Sequence, residues 1–505
     1  MLFFEVLLVT AFRQPHQRFF RFAFFDSGAE FVRLHLWHQG DRPSIDFGYQ
    51  YGLTLLLIQD LWYRIFGMTP GAFQSLVLTS NLFAAWGLWR FAMACRLGLS
   101  GQVLIVASVP EILGTASIST AHNLEPALLI HAMAEQALGR YAHALALATA
   151  CVCIKPTMAY VYGALLLSWL IVSMRAQPGV IVRACLPAAA LGLTLVAVNL
   201  QVFGWEPVRN TLFPMEAADV YRISGYGFFH GSGRQFWALP GARLIDYFRY
   251  EVGYWLLGTL LLVVGALGSL ARLAWSWWRD SSSPRLYDEL IICCALMHVL
   301  FVTLFFGNRG SWVYYLVILV LGLAVLTKLG RTHAVIGAGL AILMLGSDYS
   351  KARQTAREWT SLVRSDELQD LWTRPEVREE WRSVRAMTRG VDPVLIAEYE
   401  GAAVILPNFT RPRCYFEPGR TLAFNIRRKR RQLSEARWIV ATLDYDWLGK
   451  RLWRPAMADA LDGCEAVWQG SHFAVYRRVR PPRAQISPRT WMPGRDRPGL
   501  KPGSD

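Results

Sequence analysis

A chain of 505 residues with 53% hydrophobic and only 18% charged residues is poorer in charge than soluble globular proteins, which carry about 25%. Its apolar residues come in blocks such as LLLVVGALGSLA and YYLVILVLGLAVL, separated by short Arg-bearing loops, which excludes an ordinary soluble enzyme and favours a polytopic α-helical membrane protein. In that setting the formal charge of +15 belongs to basic cytoplasmic loops and a basic extramembrane domain, with no nucleic-acid partner.

The opening run MLFFEVLLVTAF lacks a charged leader and a small-residue cleavage site, so it reads as a first span over 1–12 and not as a removable signal. About 12 residues fall short of the roughly 20 needed to cross a bilayer. Either that helix runs on through Phe19–Phe25, or the chain starts upstream of residue 1. Further spans are expected at 72–95, 102–118, 124–139, 142–154, 157–174, 182–203, 252–272, 288–306, 311–327 and 333–347, about eleven in all. If they alternate, Arg96, Arg140, Arg175, Arg183, Arg272, Arg279, Arg285, Lys328 and Arg331 share one side, which the positive-inside rule makes cytoplasmic.

The other side then receives the loop 13–71, the AHNLEP turn at 121–126, the KPT turn at 155–157, the loop 204–251 and the turn around Arg309. Lys155 and Arg309 break the positive-inside pattern, each at an outer helix end, where a snorkelling anchor is the plainer reading. From about residue 350 the composition turns soluble. Charge-rich helical turns (KARQTAREWTSLVRSDELQDLW) precede strand-like runs (VLIAEYEGAAVILP, RWIVATLDYD, EAVWQGSHFAVYRRV), which predicts a small outer α/β domain. Past 481 the chain is rich in Pro, Gly and Arg and reads as a disordered tail. No internal repeat and no matched pair of interrupted helices, the mark of many transporters, is evident.

Six of the eight cysteines (Cys95, Cys151, Cys153, Cys185, Cys293, Cys294) fall in apolar spans and act as small hydrophobes, and none has zinc-site spacing. Cys414 and Cys464, in the outer domain, are a candidate disulfide in an oxidising compartment, at a separation that sequence does not give.

Several stretches carry chemistry. Asp26 and Glu30, in RFAFFDSGAEF, share a helix face at the membrane border, with a helix N-cap as the structural alternative for Asp26. Downstream, GDRPSIDFGYQYGL presents Asp46, Phe47, Tyr49 and Tyr51 before an interfacial helix at 53–66 anchored by Trp62 and Tyr63. The second outer turn offers His122 and Glu125. The Gly- and aromatic-rich run at 221–241 carries His230 and Arg234 and reads either as a loop closing over a ligand or as a re-entrant interfacial loop; without GK[ST] it is no P-loop. Glu111, inside a span, reads equally as a functional acid or a helix–helix pair. IRRKRR, at 426–431, reads as a solvated face.

The acid in the first outer loop, D-F-x-Y-x-Y-G-L before an apolar helix ending F-G, HNLEPALLIHAMAEQALGRY, IKPTMAYVYGALLL and GNRGSWVYYLVILVLGLAVL follow one another in an order that resembles the GT-C superfamily of membrane glycosyltransferases. Within it the chain looks like bacterial members of the aminoarabinose-transferase and protein-mannosyltransferase type. The resemblance covers roughly 15–345 and rests on order and sidedness. The family's first loop often has adjacent acids, whereas Ser27, Gly28 and Ala29 separate Asp26 from Glu30, which puts the role of Glu30 in question.

The resemblance implies a GT-C-like transmembrane catalytic domain over 1–349, an extracytoplasmic α/β domain over 350–480 and a basic tail over 481–505. It implies inverting transfer of a sugar from a polyprenyl-phosphate carrier to a lipid, envelope-glycan or protein acceptor outside the cytoplasmic membrane. A transporter or flippase of lipid-linked glycans is the alternative. Asp26 is then the base that takes the acceptor proton. Lys155 and Arg309 stabilise the departing phosphate. Glu30, Asp46, Tyr49, His122, Glu125, His230 and Arg234 line the substrate site. The resemblance fixes no cofactor, and Asp26 and Glu30 are oxygen donors of the kind Mg²⁺ or Mn²⁺ takes.

Overall fold

The computed structural model describes Leu2, Val6, 25–47, 49, 51–116, 120–173, 178–213, 263–269, 271, 275, 295, 312–359, 363–365, 371–373, 375–391, 394–396, 415–416, 436–443 and 461–481. The expected spans 1–12, 252–272 and 288–306 lie wholly or largely outside these residues, as do Cys414, the run 221–241, IRRKRR and almost all of the tail.

The protein is mostly helical. In chain order the helices are α1 Phe25–His38, α2 Leu53–Phe66, α3 Pro70–Ala94, α4 Leu99–Ala116, α5 Thr120–Ala137, α6 Tyr141–Ile154, α7 Pro156–Ser173, α8 Pro178–Phe203, α9 Trp205–Leu212, α10 Trp312–Leu326, α11 Arg331–Trp359 and α12 Pro375–Met387. Local signals set their ends. Thr69 caps α3 by accepting from the Ala72 N–H at 3.2 Å, with Pro70 in the first turn. Gly139, at φ +72°, breaks the chain between α5 and α6, and Pro156 opens α7 directly after Lys155.

Such short connections run sequential helices in opposite directions, while the closest packing is of α3 on α5, α5 on α6, α6 on α8, and α10 and α11 on α4. The bundle therefore has two chemically distinct ends. At one, Lys328 donates to the Cys95 carbonyl at 2.6 Å, and Glu135 pairs with Arg90 and, at 3.8 Å, with Arg140. At the other lie α1, α2, α9 and the turns bearing His122 and Lys155. Asn199 of α8 donates to Thr54 of α2 at 3.1 Å, and the Trp37 and Phe203 rings meet at 5.0 Å. Among the described residues Arg90, Arg140 and Lys328 thus lie at the end opposite His122 and Lys155.

Among the described residues one helix, α8, is both long and apolar enough to cross a membrane. Its flank leaves Val180, Val182, Leu186, Leu193, Val198 and Val202 open. By contrast, α6 has 14 residues, about 21 Å of helix against roughly 30 Å of hydrocarbon. The expected spans 72–95 through 182–203, 311–327 and 333–347 are helical over most of their described residues, but length alone does not make each of them a crossing.

Two further differences concern elements. The loop expected at 204–251 begins with α9, whose Pro207, Val208 and Thr211 are buried. The change to soluble composition at 350 falls inside α11, which continues unbroken to Trp359. Within the run read as helical, β1 Val363–Ser365 pairs antiparallel with β2 Leu371–Thr373.

The C-terminal strands β3 Val394–Ile396, β4 Tyr415–Phe416, β5 Trp438–Thr442, β6 Cys464–Gln469 and β7 Phe473–Arg478 form one mixed sheet in the order β4-β3-β5-β7-β6. Val377, Trp381 and Val384 recur at helical spacing on α12 and are buried. They belong to one core with Val440, Phe473 and Val475 of the sheet, and that core is continuous with the one beneath α1 and α2. Glu380 closes the β6–β7 turn by accepting from the Ser471, His472 and Phe473 N–H groups at 2.7, 2.8 and 3.2 Å. The C-terminal unit therefore sits at the His122–Lys155 end.

The sheet order decides against the Cys414–Cys464 bridge. Cys464 starts one edge strand, and Tyr415, the neighbour of Cys414, lies on the opposite edge four strand steps away. Four steps are about 19 Å, whereas a disulfide needs Cα atoms within roughly 7 Å. Both thiols are expected to react with maleimide in denatured, unreduced protein; protection of the two together would contradict this sheet order.

Candidate active site at the acid–aromatic end

α1 brings Glu30 and Arg33 into the interior, 1% and 3% exposed. Glu30 Oε1 accepts from the Thr120 N–H at 2.7 Å and from Thr120 Oγ1 at 2.8 Å, at the first residue of α5. Gln59 of α2 donates to the same hydroxyl at 2.7 Å. The Arg33 guanidinium lies over the rings of Tyr49 and Tyr51, 5.6 and 5.4 Å from their centroids.

Tyr51 leads to the second half of the site. Its hydroxyl lies 3.4 Å from His122 Nε2, while Lys155 Nζ lies 2.8 Å from His122 Nδ1 and 3.0 Å from Glu125 Oε2. Glu125 Oε1 accepts from the Met158 N–H at 2.8 Å. An ammonium only donates, so neutral His122 carries its hydrogen on Nε2, toward the Tyr51 oxygen. The side chains of Lys155 and Glu125 are 4% and 0% exposed. The result is a buried chain of Glu125, Lys155, His122 and Tyr51 at the end of an apolar bundle.

Two local features hold the loop against this chain. The Gly52 N–H donates to the Ile154 carbonyl at 2.8 Å, and a Cβ on Gly52 would overlap the Cys153 carbonyl. Only glycine lets this backbone approach so closely. Gly52→Ala is expected to displace the Tyr49–Tyr51 segment and abolish activity, with yield and melting temperature reporting the clash. Wild-type behaviour would show that the approach is not real. Tyr49 donates to the Gly52 carbonyl at 3.3 Å, and burial pushes its phenol well above the ordinary tyrosine range, so it stays a donor.

Of the predicted residues, Glu30, Tyr49, His122, Glu125 and Lys155 are thus brought together. Asp46 is held apart from them. It closes its own turn, accepting from the Arg42 N–H at 2.9 Å and pairing with the Arg42 side chain at 3.4 Å. Asp26 sits in the first turn of α1, one turn ahead of Glu30. The side chains of Asp26 and Glu111, and the whole of His230, Arg234 and Arg309, lie outside the described residues. Arg33 and Thr120 were missed as site residues, and Tyr51 was named with the aromatics but not assigned to the site. Arg33 stands three positions after Glu30, on the same helix face, and that spacing was the available signal.

Glu30 Oε1 is engaged by Thr120, and no group of three or more His, Cys, Asp or Glu side chains collects among the described residues.

No protein-family model matches the chain, and no curated protein does. Among solved structures the chain is similar to the crystal structure of ArnT from Cupriavidus metallidurans bound to undecaprenyl phosphate. The identity is 12% and the TM-score 0.41, over 96% of this chain and 99% of that one. At that identity and score the likeness decides nothing about chemistry.

Proposed function

We propose that the chain is an inverting glycosyltransferase of GT-C type, embedded in the cytoplasmic membrane. It moves a sugar from a polyprenyl-phosphate carrier to a lipid, envelope-glycan or protein acceptor on the outer face. The observation that carries this reading is the buried Lys155, held by Glu125 and His122 at the acid–aromatic end of the bundle. Burying a Lys–Glu pair is costly, and hydrophobic residues of like volume often hold a bundle as well or better. Retaining ionisable groups at that depth points to a ligand that needs them.

A polyprenyl phosphate matches both halves of the environment. Its tail suits apolar flanks such as that of α8, and its anion suits a cation at the border. In the reaction the acceptor oxygen bonds to the anomeric carbon while the bond from that carbon to the phosphate oxygen breaks on the opposite side. Asp26 takes the acceptor proton, and the carrier leaves as the phosphate. Lys155 and Arg309 stabilise that charge, and His122 and Glu125 fix where Lys155 presents it. The 1–349 segment is the transmembrane catalytic part with about eleven spans, 350–480 the extracytoplasmic α/β part and 481–505 the tail.

Mass spectrometry of envelope lipids and glycans from cells lacking the protein tests the reading. The expected result is one missing sugar modification together with an accumulated polyprenyl-linked sugar. An unchanged lipid and glycan profile overturns it. Accumulation confined to the cytoplasmic leaflet would favour a flippase. A phosphatase fused after residue 480 is expected to be active, and a silent fusion would put the acid–aromatic end in the cytoplasm.

A further inference from the structure

We infer that Glu30, predicted to bind substrate, is instead a positioning residue: its carboxylate closes on the first turn of α5 and holds His122 and Glu125 where Lys155 meets them. The inference rests on the proposed function for what Lys155 binds, but the lock itself stands on geometry. Thr120 opens α5, and its N–H is one of the donors a helix start leaves unsatisfied. Glu30 reaches it from a separate helix, 90 positions away in sequence, and takes the Thr120 hydroxyl as well. Gln59 fills that hydroxyl's acceptor side, so the polar path runs from Gln59 through Thr120 to Glu30. A carboxylate there also meets the positive end of the helix dipole.

The turn needs outside support because of its own sequence. Pro126 lies inside α5 and supplies no N–H to the carbonyl of His122, four residues earlier. A proline so placed removes a backbone hydrogen bond and weakens a helix that has no outside support. His122 and Glu125 both stand on that weakened stretch. Asp26 lies one turn from Glu30 on α1, so the same lock fixes the distance between the proposed base and the proposed phosphate cation.

The test uses purified full-length protein in detergent, with undecaprenyl monophosphate as the probe. Amide exchange over 120–126 reports the helix start. Glu30→Ala and Thr120→Val are expected to speed that exchange and weaken probe binding about tenfold, the scale of losing a hydrogen bond to a charged group. Glu30→Gln, which keeps an acceptor oxygen, and Thr120→Ser, which keeps the hydroxyl, are expected to restore both readouts. Unchanged exchange and binding in Glu30→Ala overturn the proposal. Faster exchange with full binding also overturns it, since Glu30 would then merely finish a helix. Wild-type protein that binds no probe overturns the functional reading and the phosphate role with it, an outcome distinct from the other two.

Discussion

Lys155→Met is expected to lose most of the protein's thermal stability together with its binding of undecaprenyl monophosphate. Lys155→Met combined with Glu125→Gln is expected to recover the stability but not the binding. The single variant leaves a carboxylate with a fully buried side chain facing methionine, with the Met158 N–H donating to its other oxygen. Removing one member of a buried ion pair costs about 3–5 kcal/mol, a large share of the roughly 5–15 kcal/mol that holds a domain together. The second substitution removes the stranded charge, and the amide oxygen of glutamine still accepts from Met158. The phosphate, however, has lost its cation in both proteins. Scanning fluorimetry in detergent and probe binding separate the two effects. A single variant as stable as wild type would mean that the pair is not buried. A double variant that binds normally would remove Lys155 from the phosphate site.

The bundle was readable because apolar blocks and basic loops are one-dimensional signals. Each helix between 70 and 203 needs only its own residues to declare itself, and the short turns between them settle direction. The site was readable where the chain changes character abruptly, as at His122–Glu125 and Lys155–Pro156, polar groups on otherwise apolar helices. What sequence could not show is pairing across long separations. Nothing in AEFVRLHLW says that Arg33 lies over Tyr49 and Tyr51. Nothing in AHNLEP says that Glu30 reaches the helix start just before it. Gly52 stood inside a recognisable motif, yet its reason lies in the Cys153 carbonyl, about a hundred residues on. The two outer cysteines looked alike by composition, and only the strand order puts Cys464 and Tyr415, the residue after Cys414, on opposite edges. Asp46 looked as promising as Glu125, but a local arginine claims it.

Asp26→Asn is expected to reduce sugar transfer by about 10²–10⁴, the usual scale of losing a general base, with melting temperature and probe binding unchanged. The substitution is chosen because the structural alternative predicts the opposite result. Asp26 stands in the first turn of α1, where an acid is often only a helix cap. Asparagine caps a helix about as well as aspartate, so a capping role predicts nearly full activity. A base must accept the acceptor's proton as the carbon–oxygen bond forms, and an amide does not. The neighbouring acid does not offer a substitute, because Glu30 Oε1 is already closed on Thr120. The two readings therefore differ by orders of magnitude on one conservative change. Turnover by purified enzyme, with restoration of the missing sugar in deletion cells as the second measurement, decides between them. An Asp26→Asn protein that keeps more than about half of wild-type turnover is incompatible with a base at this position. The search would then move to Glu125, the carboxylate that meets the Lys155 ammonium.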